Sequence, residues 1–256
     1  MNAPTGRMTD FIRKQTYETE VLQLRRRLAK IHRILTAGGM WPLTKGHASA
    51  RIPGTDTVLI LGHIHATGRS LDQVDVDDIV VVNLEGEWLE GEIEPVDERY
   101  LHLEIMKARP DVMSVVHAHS TYATAFGVAD VNILPVGNRG AIFGPSVPIL
   151  QFDRQIDTPE RGRMVSDLIG SGCAVVLKNH GIAVASDTIE NACITAFALE
   201  ETAHLHWIAA QLGPVQRIST GEVQSVLTGA RKAEFFAHAW GHYAKLDPWD
   251  GMNRPV

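Results

Sequence analysis

The sequence predicts a single α/β domain built as a three-layer α/β/α sandwich. Three observations carry that reading. Apolar, β-branched runs of strand length alternate with helix-length segments through the middle of the chain. The 256 residues, 45% of them hydrophobic, suffice for one large core. No repeat, low-complexity segment or linker interrupts the pattern.

The elements follow in order. Residues 1–14 read as a flexible arm, and 15–256 as one domain with a helical C-terminal segment. Val21, Leu24, Leu28, Ile31, Ile34 and Leu35 recur at helical spacing over 15–37, and Gly38-Gly39 ends the helix. Residues 43–51 read as a loop running into a strand. Residues 58–61 and 79–84 read as strands. Pro95-Val96-Asp97 precedes a helix to about 108, with Asp97 as its candidate cap. Arg109-Pro110-Asp111 stops that helix, and a strand over 112–119 follows. A short helix is expected from 120 to 127, then short strands and loops over 130–156. Thr158-Pro159-Glu160 opens a helix to 169. Apolar runs at 174–177 and 182–185 flank His180, and helices cover 187–212 and 220–245.

Composition excludes several classes. A net charge of −6 argues against a nucleic-acid surface, and Arg25-Arg26-Arg27 reads as the solvated face of a helix. Cys173 and Cys193 sit in apolar surroundings and suggest no disulfide framework, which fits a reducing cytoplasm. The first ten residues lack an apolar signal core, and no run has the length of a membrane span. The expected partner is a small anionic molecule.

Val115-Val116-His117-Ala118-His119-Ser120 is the stretch that points to chemistry. Residues i and i+2 of a strand share a face, so His117 and His119 project together. Glu98 and His180 are placed to complete a set of three imidazoles and one carboxylate. Such a set suits one Zn2+ or Mn2+ per chain, with Fe2+ or Co2+ as further candidates. A lone His-x-His is more often core or surface histidine, and His63-Ile64-His65 is a second such pair without the same surroundings. Glu98 can also serve as acid or base. His102, four residues on, either orients Glu98 or lines the pocket. Gly46 permits close backbone approach to a ligand, with His47 and Ser49 as donors beside it.

Glu98-Arg99-Tyr100-Leu101-His102, Ala108 to Val112, Val115 to Ser120 and Asn179-His180-Gly181 together resemble the class II aldolase/adducin family. Gly46-His47-Ala48-Ser49-Ala50-Arg51 resembles that family's N-terminal ligand loop. The resemblance spans roughly residues 20–210. It implies a central mixed, largely antiparallel sheet, a homotetramer, metal on His117, His119 and His180, and Glu98 as acid/base. Two departures matter. His47 stands where the sugar-phosphate aldolases usually carry Asn, and Val96-Asp97 where they usually carry two serines before the Glu. The form is closer to members that decarboxylate hydroxylated aromatic or pyridine dicarboxylates. The resemblance therefore implies a metal-dependent carbon–carbon lyase, with decarboxylation ahead of aldol cleavage of an unphosphorylated hydroxy-carbonyl compound. A non-haem iron oxygenase on the same ligands is a further alternative. Lys45, His47 and Arg99 are candidates for a second carboxylate. A tetramer lets the C-terminal segment reach a neighbour's pocket, with Tyr243, His238 and His242 as candidates.

Overall fold

The computed structural model describes residues 5–41, 45–228 and 230–249. One mixed sheet of eight strands forms its middle layer. The strands are β1 (Gly46–Arg51), β2 (Thr57–Leu61), β3 (Ile79–Asn83), β4 (Trp88–Glu90), β5 (Ser114–Ala118), β6 (Ile149–Leu150), β7 (Ala174–Leu177) and β8 (Gly181–Ser186). Their order is β4-β3-β2-β1-β5-β8-β7-β6, and every pair is antiparallel except β6 with β7. The helices are α1 (Thr5–Ala37), α2 (Arg99–Ala108), α3 (Thr121–Ala129), α4 (Gly137–Gly140), α5 (Pro159–Ile169), α6 (Ile189–Leu212), α7 (Thr220–Thr228) and α8 (Ala230–Tyr243). Helices α1 and α6 pack together and against the sheet, while α2 and α5 pair separately, so the three-layer α/β/α expectation holds.

The sequence pattern explains why the centre of the sheet is dry. Strands β5 and β7 and nearly all of β8 are buried. Their residues are mostly Val, Ile and Ala, which suit a strand covered on both sides. Helix α6 is small and apolar over 192–199, where Ala192, Cys193, Ala196 and Leu199 are fully buried. Small side chains there let α6 approach the sheet closely. Burial raises the Cys193 thiol pKa beyond its usual range, so it behaves as core rather than nucleophile.

Several local expectations need correction. Helix α1 starts at Thr5, ten residues before the amphipathic pattern does. Asp97 does not cap α2. The N-cap position belongs to Glu98, which makes no side-chain cap, while the Asp97 carboxylate lies 3.5 Å from His63 Nε2. The edge strand β4, exposed throughout, has no counterpart among the expected elements. The strand after Gly170-Ser171-Gly172 ends at Leu177, and His180 lies in the turn between β7 and β8, between the two apolar runs. Residues 1–4 of the expected arm and 43–44 of the expected loop lie outside the described residues. Among the described residues, no helix is long and apolar enough to cross a membrane.

The segment around Asp247 is clasped onto α1. Arg33 and Asp247 form a buried bidentate pair, with Nε–Oδ1 at 2.8 Å and Nη2–Oδ2 at 3.0 Å. The Arg33 guanidinium also donates to the Val74 carbonyl and lies 4.3 Å from the centre of the Trp249 ring. Burial works against the Asp247 charge, but the hydrogen bonds from Arg33 outweigh it and lower the carboxyl pKa. A carboxylate with a lowered folded pKa adds stability above its unfolded pKa and loses it as pH falls. Asp247→Asn leaves Arg33 buried without its counter-charge and should cost about 3–5 kcal/mol at pH 7. Chemical denaturation should show wild type and variant converging as pH drops below about 4. A constant difference down to pH 2 would contradict this role.

Candidate active site

The site forms where β1, β5 and β8 end together. His47 on β1 and His117 on β5 are direct cross-strand partners, with ring centroids 5.0 Å apart. His119 lies one residue past β5, and its Nε2 is 2.9 Å from His117 Nε2. The turn before β8 brings the His180 ring to 4.8 Å from His117 and 5.0 Å from His119. That turn needs Asn179 at φ +54°, a left-handed conformation that asparagine tolerates. A Cβ on Gly181 would overlap the Ala118 carbonyl oxygen, so only glycine lets β8 approach β5 there.

Glu98 enters from the start of α2. Its Oε1 accepts from the Ile156 N–H at 2.9 Å and lies 3.5 Å from His180 Nε2. Its Oε2 lies 3.7 Å from both His47 Nε2 and His117 Nε2. Burial favours the neutral acid, but the facing His180 and His47 imidazoles and the His117 ring outweigh it, holding the carboxyl well below its usual range. The histidine pKa values fall as well, which for an imidazole favours the neutral form. Burial lowers the His117 pKa well below normal, and burial with neighbouring His180 brings His119 down to about 4. Both are therefore neutral near pH 7.

This donor set fits a divalent cation. His117 Nδ1 is 2.9 Å from the Ile182 carbonyl oxygen, which can only accept, so the ring proton sits on Nδ1. Its Nε2 lone pair then faces the site, in the arrangement that metal-ligating histidines share. Two groups of donor atoms, His117 with His119 and His180, and His47 with Glu98 and His117, each lie within 4.8 Å of one another.

A cavity of about 370 Å³ opens beside these groups. Lys45, Gly46, His47, Glu98, His119 and His180 line it, as does Asp97. Other sequence candidates are placed elsewhere. His102 directs its hydrogen bonds to β1 rather than to Glu98. It is fully buried, with Nε2 at 2.7 Å from His47 Nδ1 and Nδ1 at 2.8 Å from Ser49 Oγ. Ser49, expected to meet a ligand, is thus committed behind His102. Arg99, expected to hold an anion, donates instead to the Gly86 and Val96 carbonyls and lies over the Tyr100 ring. Tyr243 stacks on Phe197 and donates to Glu201, and it lines a separate cavity with His238 and His242. Sequence reasoning missed His63, His65 and Gln155 on the site cavity wall. The first two carried the same His-x-His signal as the central pair. Gln155 carried none.

Comparison with known proteins matches this arrangement. The family model for the class II aldolase and adducin N-terminal domain matches residues 26–207. The chain belongs to the class II aldolase and adducin family. A curated L-fuculose phosphate aldolase from Methanococcus maripaludis is 30% identical over 151 residues, 59% of this chain and 81% of that protein. The solved L-fuculose 1-phosphate aldolase from Glaciozyma antarctica shares the fold, with TM-score 0.76, 23% identity and 90% of each chain covered. YgbL from Escherichia coli, described as a candidate aldolase/epimerase/decarboxylase, has TM-score 0.69 and 26% identity over 81% of this chain and 99% of its own. As a class II aldolase-family chain with this donor cluster, the protein is an enzyme of the lyase type with a site for a divalent metal.

One glycine supports the whole cluster. Gly46 has φ +143°, and a Cβ there would overlap the Trp41 indole. Trp41 Nε1 in turn donates to the His117 carbonyl oxygen at 3.2 Å. Gly46 therefore serves the packing under His117 at least as directly as it faces the cavity. Gly46→Ala should lower stability by about 2 kcal/mol or more through overpacking and backbone strain. Denaturation followed by tryptophan fluorescence would measure it, and an unchanged midpoint would refute the role.

Proposed function

We propose that this protein is a metal-dependent carbon–carbon lyase that decarboxylates an unphosphorylated hydroxy acid, a hydroxylated aromatic or pyridine dicarboxylate being the class that fits best. The observation that carries the reading is Asp97. Its side chain is 68% exposed and forms part of the cavity wall next to Glu98. A phosphate dianion entering there meets two carboxylates, and like charges a few ångströms apart repel by about 1 kcal/mol even in water. Lys45 at the cavity mouth is the available cation for one substrate carboxylate.

His117, His119 and His180, with Glu98, are the residues that would hold the metal. A bound divalent cation supplies Lewis acidity, holding a hydroxyl oxygen and stabilising the charge left when the adjacent carbon–carbon bond breaks. Glu98 holds and moves the proton. Its Oε2 faces the open side of the cluster while Oε1 is fixed by the Ile156 N–H, so the carboxylate is oriented without a second strong partner. His119 and His180 line the same cavity as Asp97.

A second reading is aldol cleavage of an unphosphorylated hydroxy-carbonyl compound, favoured by the likeness to the Methanococcus maripaludis aldolase. We also assign a homotetrameric assembly. Leu205, Trp207, Ile208 and Leu212 leave large apolar surface exposed along the end of α6, which supports association.

The discriminating experiment incubates the metal-loaded protein with hydroxylated aromatic dicarboxylates, scoring CO2, and with sugar phosphates and hydroxy-ketones, scoring trapped aldehyde. CO2 release without aldehyde is expected. Efficient sugar-phosphate cleavage with no CO2 from any acid would overturn the reading. Glu98→Gln should retain metal by elemental analysis and lose about 10²–10⁴-fold in turnover. His117→Ala should lose both metal and turnover, whereas His65→Ala should keep its metal.

A further inference from the structure

His47 is the fourth imidazole at the cluster, and nothing in the strand-end spacing of His117 and His119 requires it. Its Nε2, the Glu98 carboxylate and His117 make a second donor group whose three residues are all buried. The Nε2–Oε2 separation of 3.7 Å is too long for a hydrogen bond. Its Nδ1, by contrast, is tightly held by His102 Nε2 at 2.7 Å, and His102 Nδ1 is held by Ser49 Oγ at 2.8 Å. His102 and Ser49 are both fully buried. His117 has the same design, with Nδ1 fixed by a buried partner and Nε2 presented to the site. A ring held in this way is held as metal ligands are held.

We propose that His47 is itself a ligand of the site's divalent cation, with His102 and Ser49 as the positioning residues that keep it in the ligating tautomer. The inference rests on reading the cluster as a metal centre. It does not depend on which bond the enzyme breaks. In the ligating state His47 Nδ1–H donates to His102 Nε2, and His102 Nδ1–H donates to Ser49 Oγ. In the reverse state the Ser49 hydroxyl donates to His102 Nδ1, His102 Nε2–H donates to His47 Nδ1, and the remaining His47 proton occupies Nε2. The hydrogen-bond chain can run either way, and a cation beside Nε2 selects the first. The two donor groups share His117, and a centre that draws on both is rich in imidazole, which favours zinc, iron or cobalt over the oxygen-seeking magnesium and calcium. This assignment moves His47 from the substrate side, where the sequence had put it, to the metal.

The test uses the full chain loaded with Mn2+ and needs no substrate. Pulsed EPR of the wild type should count nitrogens from the four imidazoles of His47, His117, His119 and His180. His47→Asn should count three and bind Mn2+ at least about 10-fold more weakly. His102→Leu, which leaves every ligand in place, should weaken binding by about 10–100-fold. His63→Asn should bind like wild type. Three nitrogens in the wild type, with Mn2+ affinity unchanged in His47→Asn and His102→Leu, overturns the proposal while leaving the metal centre intact. A wild type that binds no Mn2+ or Zn2+ overturns both. Failure to release CO2 counts against decarboxylation alone, because none of these readouts requires turnover.

Discussion

Everything at the site depends on the pairing of β5 between β1 and β8. The register sets His47 against His117 on one side and Ala118 against Ile182 on the other. A slip of one residue would turn every side chain of β5 to the opposite layer, taking His117 away from Glu98. Several bonds outside the ladder hold the register. Ser114 Oγ donates to the Ser49 carbonyl, and the Ala48 N–H donates to His32 Nε2. His32 Nδ1 bonds the Leu28 carbonyl in its own helix, so α1 grips the first turn of β1. Burial lowers the His32 pKa to about 3, which keeps the ring neutral and Nε2 an acceptor near neutral pH.

Burial also decides the chemistry of the cluster. Desolvation penalises an imidazolium more than a neutral imidazole, so a buried histidine with no close carboxylate stays neutral. His102 is fully buried with its pKa lowered well below normal, and burial outweighs even the nearby Glu98 carboxylate at His117. A neutral imidazole offers a lone pair, and the backbone determines which nitrogen carries it. The fold thus makes ligands by placing histidines where they cannot be charged. It then directs each lone pair with a hydrogen bond to the other nitrogen.

The parts legible in the sequence were those with a local signature. His117 and His119 follow from strand period, and the place of His180 from an Asn-His-Gly turn between two apolar runs. The start of α2 placed Glu98 within a residue. The unreadable parts depended on distant packing. His102 faces His47 because α2 crosses β1, residues 55 apart in sequence. Arg99 looked like an anion partner because its charge was visible, whereas the Gly86 carbonyl that holds it was not. His63 and His65 looked like a decoy. The chain instead turns after β2 into a short 3-10 segment over Ile64–Thr67, which swings both onto the cavity wall. The single parallel pair, β6 with β7, arises from a connection through α5 that composition does not reveal.

Charge balance around Glu98 gives the strongest physical reason for a cation. The carboxylate is buried, and its near neighbours are the imidazoles of His47, His117 and His180, of which burial keeps His117 neutral. One N–H from Ile156 satisfies one oxygen. The start of α2 adds a favourable dipole of at most about 1 kcal/mol at such a position. Neither offsets the several kcal/mol that removing a carboxylate from water costs. A protein has two ways out: protonate the acid, or supply a positive charge among the lone pairs. Protonation requires the carboxyl pKa to rise, yet the surrounding imidazoles lower it. The geometry therefore favours the ionised acid beside a cation. It also means that any anionic oxygen arriving at the cluster competes with Glu98 for the same positive charge.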